Sequence, residues 1–216
     1  MAINKVDFEQ LMNQAKVTLV GASEGGLKGA FYDVLSEFFN DSSIWTTDIP
    51  VHAIPGVFSY PISVPEGQII RLTGVADLQQ NYIPSLMPEI GTLLIQHSPN
   101  QAIDYVATVV TNTALPTSRD MIPLAPDWIL PIWHVGILDG LLGKMMIQPN
   151  KSYSNMVQGA YHLRRFRDAI ARARVSKLRA NTNGASAWRF PQQFRTRTQQ
   201  GGVPSVGSGG VGERSF

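Results

Sequence analysis

The 216-residue chain contains no cysteine, which removes disulfide frameworks, thiolate zinc sites and thiol nucleophiles and fits synthesis in a reducing cytoplasm. Charge is also scarce, at 16% of residues against 44% hydrophobic, a balance that supports a globular core rather than a disordered chain. No apolar run approaches the roughly 20 residues that span a bilayer. The start, Met1 to Asp7, lacks the basic-then-apolar layout of a secretory signal. The expectation is a soluble, unprocessed protein with no membrane contact.

Catalytic patterns are equally thin. His52, His97, His134 and His162 are scattered, without companion carboxylates at metal-ligand spacing, and read as ordinary surface or core residues. Asp139 follows His134 by five residues, which puts the two on different faces of a helix and argues against a dyad. Gly21-Ala22-Ser23-Glu24-Gly25 lacks the preceding strand of a nucleophile elbow and reads as a turn. Gly25-Gly26-Leu27-Lys28-Gly29 lacks the glycine-lysine-serine/threonine ending of a phosphate loop. The chain is therefore expected to be no enzyme, with neither cofactor nor metal.

What is present is a segregation of charge. From Met1 to Leu163 there are 7 basic and 14 acidic residues, whereas from Arg164 to Phe216 there are 11 basic residues and only Asp168 and Glu213 as acids. An acidic body with a basic end suits contact between copies or docking onto an anionic partner, protein or nucleic acid.

The hydrophobic pattern predicts helices over Val6 to Lys16 and from after Gly25-Gly26 to Phe38, with Trp45 anchoring the exit. Between Thr46 and Ser118, prolines and glycines punctuate strand-like runs rich in Val, Ile, Thr and Tyr. Val57 to Ile62 and Gln68 to Val75 read as a hairpin-like pair around Pro65-Glu66-Gly67. Thr92 to His97 and Ile103 to Asn112 read as further strands, and 79–89 is left unplaced. A third helix follows Asp127, a candidate cap, with Ile132, Trp133, Ile137, Leu141 and Met145 spaced for burial; it closes at Gln148-Pro149-Asn150. Ser154 is a candidate cap for a fourth, Asn155 to Arg179, with Met156, Ala160, Leu163, Phe166 or Ile170, Ala173 and Val175 to Leu178 as its apolar line. The expected fold class is α+β: an antiparallel helical bundle of four main helices (1–46 and 119–182), a β-rich insertion between helices two and three (47–118), and an extended C-terminal tail (183–216).

Three local signatures, taken in order, resemble one family. The first is Gly29-Ala30-Phe31, Phe38-Phe39 and Trp45, then Pro55-Gly56, Ser59-Tyr60-Pro61-Ile62, Val64-Pro65-Glu66-Gly67 and Ile70-Arg71-Leu72. The second runs from Ala125-Pro126-Asp127-Trp128-Ile129 through Trp133, Gly136 and Gly140 to Met145, and ends in Gln148 to Ser154. The third is Ile170-Ala171-Arg172-Ala173-Arg174, followed by Trp188-Arg189-Phe190-Pro191-Gln192-Gln193-Phe194. Together they resemble the head-to-tail adaptors that sit beneath the portal of short-tailed bacteriophages. The resemblance covers about residues 6–75 and 103–195. It implies a virion structural protein at the head–tail junction, made in the bacterial cytoplasm. It further implies a homo-oligomeric ring, a dodecamer of about 12 copies, with a portal above, a tail or nozzle protein below and tail fibres as further partners. Genomic double-stranded DNA would pass through the channel during ejection without sequence-specific contact.

Two groups of candidate contact residues follow. Arg164, Arg165, Arg172, Arg174, Lys177 and Arg179 form a basic cluster, with Arg167, that reads as a solvated face, a protein contact or a phosphate contact. Trp188, Phe190 and Phe194, flanked by Arg189, Arg195 and Arg197, are aromatic anchors in a polar tail; they suit either back-packing on the same subunit or docking, by the resemblance on the portal. The competing functions are a stopper or tail-tube ring lower in the tail and, from another class, a DNA-binding protein using the basic helix.

Overall fold

The computed structural model describes residues 3–114 and 122–180. Helices α1 (Lys5–Thr18) and α2 (Glu24–Ser42) come first. Strands follow: β1 (Thr46–Ala53), β2 (Ser59–Pro61), β3 (Gln68–Asp77), β4 (Tyr82–Ile83), β5 (Ser85–Glu89), β6 (Thr92–Ile95) and β7 (Ile103–Asn112). Helices α3 (Ile129–Met146) and α4 (Met156–Ala180) close the described chain.

This α+β arrangement corrects the bundle-with-insertion expected from the sequence. The helices lie towards the two ends of the chain and the strands in its middle, where they build two antiparallel sheets ordered β1-β7-β3-β4 and β2-β6-β5. The sheets have a core of their own. Val51, Val75, Tyr105, Ala107 and Val109 of the first sheet bury against Tyr60, Leu93 and Ile95 of the second, because alternate residues of each strand point to the same side. A second core joins the helices through Leu11, Leu27, Phe31, Phe38, Leu141 and Phe166.

The expected hairpin of 57–62 with 68–75 does not form. β2 pairs with β6, and β3 pairs with β7, in a different sheet. Gly67, at φ +79, still marks a sharp turn: a Cβ there would strike the Asn112 carbonyl. The unplaced 79–89 stretch holds β4 and β5. Asp77 closes the turn before β4 by accepting from the N–H groups of Gln79 (2.9 Å) and Asn81 (2.8 Å). The bond from the Asn81 side chain, followed by those from the two backbone N–H groups, holds its carboxyl below the usual value.

Prolines mark three of the four edge strands among those described, while β4 covers only Val75 and Ala76 of β3. Pro50, Pro61 and Pro88 sit in the edge strands β1, β2 and β5, and β4 is two residues long. Proline offers no N–H to an incoming strand, so another chain cannot easily extend the sheets at the proline-bearing edges.

Helix ends follow capping chemistry. Ser23 Oγ accepts from Gly26 N at 3.2 Å, so α2 starts at Glu24 and takes both glycines into its first turn. Two expected caps are corrected. Trp128, without a side-chain bond, stands where Asp127 was expected, and Asn155 rather than Ser154 starts α4, its Oδ1 accepting from Gln158 N at 3.1 Å. By length and composition α3 could cross a membrane, yet more than half of it is buried in this protein's core.

Glycines let α3 and α4 lie close together and antiparallel. A Cβ on Gly136 would sit 2.5 Å from Ala169 Cβ, one on Gly140 2.8 Å from Phe166, and one on Gly143 2.8 Å from Leu163. Gly136→Ala is expected to destabilise the protein by about 1–2 kcal/mol, overpacking outweighing the gain in helix propensity. Adding Ala169→Gly should recover that strain. Strictly additive effects in urea denaturation would show that the helices separate without cost.

Candidate interaction site on the last helix

α4 is 25 residues long, but only a narrow stripe of it packs inward. Gly159, Phe166, Ala169, Ile170 and Ala173 are buried, spaced at threes and fours. Four apolar residues expected on that line point outward instead: Met156 (72% exposed), Ala160, Val175 (46%) and Leu178 (59%). Ile132 of α3, also expected inside, is 64% exposed. Periodicity identifies a face but does not say whether this chain alone covers it.

Charged groups tie α4 to the rest of the fold at two places. On α3, Asp139 is 5% exposed. Its Oδ1 lies 2.8 Å from His162 Nδ1 and its Oδ2 3.1 Å from Arg165 Nε. The Arg165 guanidinium also stands 5.7 Å from the centre of the Tyr161 ring, a cation–π contact. A buried carboxylate needs such partners, since an isolated one would be strongly destabilising.

The second place is the C-terminus of α2, which has no basic residue in its own last turn. Cations arrive from elsewhere: Arg174 Nε donates to Asp41 O at 3.1 Å, and Lys177 Nζ to Ser43 O at 2.6 Å. From β3, Arg71 donates to Ser43 Oγ. Positive charge here complements the partial negative end of the helix dipole. Burial, with the Arg71 charge nearby, holds the Lys177 ammonium below its ordinary value.

The basic cluster is therefore divided. Arg165, Arg174 and Lys177 are engaged within the chain, and Arg172 Nε reaches back 3.3 Å to the Asp168 carbonyl of its own helix. Arg164 and Arg167 are exposed and have no partner among the described residues. Arg179 lies in the last turn of α4. Trp188, Arg189, Phe190, Phe194, Arg195 and Arg197 lie outside the described residues.

The sequence reading missed the Asp139–His162–Arg165 cluster. His134, the histidine it weighed against Asp139, contacts Gln14 Oε1 of α1 at 2.7 Å instead. The available signal was that Asp139 is the sole acid in an apolar helix, which obliges a cation to meet it from another element.

A polar groove of about 580 Å³ lies between α2 and β3. Its lysine is already engaged: Lys144 Nζ meets Glu37 Oε2 at 2.7 Å and Asp33 O at 3.1 Å. No family model matches this chain, and no curated protein matches it.

Proposed function

We propose that this chain is a virion structural protein: a ring-forming head-to-tail adaptor that docks beneath the portal, extends the DNA channel and carries the tail or nozzle protein. The observation that carries the reading is α4. This long helix buries one stripe, presents exposed apolar side chains beside arginines on the rest, and leads directly into the basic C-terminal residues. Exposed apolar surface of that extent suits a protein contact better than a solvated face. The prolines in β1, β2 and β5 oppose strand addition between copies at those edges.

The DNA-binding alternative draws less support. Arg165, Arg174 and Lys177, three of the seven cations of the helix, are bonded within the chain and held away from phosphates, whose contacts dominate such affinity.

Mixing the protein with portal rings of the same virion and imaging by electron microscopy tests the proposal. The full chain is expected to add a collar to the portal, and a version ending at Asn181 is expected to add none. A collar from both versions removes the tail from the docking role; no collar from either overturns the adaptor reading.

A further inference from the structure

The outward face of α4 has an order of its own. Val157, Tyr161, Arg164, Asp168, Ala171, Val175 and Leu178 recur at alternating steps of four and three residues, on the side opposite the buried Phe166 and Ala173. All seven are exposed. This is a second heptad seam, with Tyr161, Asp168 and Val175 in one core position and Val157, Arg164, Ala171 and Leu178 in the other.

We infer that this seam pairs with the same seam of a second copy, antiparallel, to form a twofold dimer. In an antiparallel coiled coil each core position of one kind faces the other kind on the partner. Laid against itself about a point near Phe166, the seam puts Val157 opposite Val175, Tyr161 opposite Ala171, and Arg164 opposite Asp168, each layer occurring twice. Apolar meets apolar, the largest side chain meets the smallest, and the two charges form two ion pairs. Neither Arg164 nor Asp168 has a side-chain partner among the described residues of its own chain, so both are available. Tyr161 is held in place by the Arg165 guanidinium, itself anchored on Asp139.

The flanks set the strength. Arg165 is already paired with Asp139, and Arg174 is drawn onto the α2 carbonyls. Arg167, however, falls beside the twofold axis and faces its own copy, so like charges oppose the contact. The interface is short and the dimer weak. A twofold contact closes on itself, whereas a ring needs a head-to-tail contact. The dimer is thus a separate state that covers the apolar seam in free subunits, and its test stands apart from the adaptor reading.

Sedimentation velocity of the full chain over micromolar to millimolar concentrations reads it out. The wild type is expected to show a reversible monomer–dimer equilibrium. Asp168→Arg or Arg164→Asp alone should weaken the dimer at least about tenfold. The double exchange R164D/D168R should return it to within about threefold of wild type, and Arg167→Gln should tighten it. All three positions are exposed, and the restored double variant shows directly that the single variants lost pairing rather than folding. A wild type that shows no dimer at any concentration, a dimer indifferent to the single reversals, or a double exchange that fails to restore it overturns the proposal.

Discussion

Alanine in place of Phe38 is expected to cost about 3–5 kcal/mol, a large share of the margin of an ordinary domain. Phe38 is fully buried, and its ring stands 6.0 Å from Phe39, 5.6 Å from Trp133 and 6.3 Å from Phe166. One side chain thereby joins α2, α3 and α4. Its loss removes the transfer energy of a large ring together with edge and tilted aromatic contacts. The remaining space is hard to close, because Gly140 already brings α3 against both Phe166 and Val34, and the helices have little room to move inward. Urea denaturation measures the loss, and near-ultraviolet dichroism reports the environment of Trp133. A decrease below about 2 kcal/mol would show that the helices do collapse into the space.

The helices were legible because each carries apolar residues at threes and fours, although α2 begins at Glu24 behind the Ser23 cap and not after Gly25-Gly26 as expected. Trp45 did anchor the exit of α2, its ring 5.1 Å from Phe39. Strand β7 was legible for the same kind of reason, since Tyr105, Ala107 and Val109 alternate with Asp104 and Thr108. Strand partners were not. β2 joins β6 about thirty residues onward, and nothing in Ser59-Tyr60-Pro61 records that choice; the turn residues 65–67 suggested the nearer partner. Strands β4 and β5 were hidden by Pro84, which separates them, and by Pro88, which lies within the edge strand β5; both read as breakers. The arginine-rich helix was visible as composition. Its division into bonded and free cations was not, because the partners Asp41, Ser43 and Asp139 lie 23 or more residues away in sequence.

That division leads to the other large effect. Removing both partners of Asp139, by His162→Ala with Arg165→Ala, is expected to cost about 3 kcal/mol, because a carboxylate in the α3–α4 interface is left without a partner. Arg165 is partly exposed, so its single removal costs less, on the order of 1 kcal/mol. The decisive comparison adds Asp139→Leu to the double variant. Leucine has the same number and branching of side-chain heavy atoms, needs no partner and suits a position that is 5% exposed. Charge burial therefore predicts that the triple variant regains most of the lost stability, as apolar replacements of buried ion pairs do elsewhere. If His162 and Arg165 act chiefly by packing their stems over α3, the triple variant stays as unstable as the double. Thermal or urea unfolding of the four proteins separates the two accounts. Since Arg165 also positions Tyr161, the same variants weaken the α4 dimer in the first case and the second alike, so stability and not association is the readout that decides.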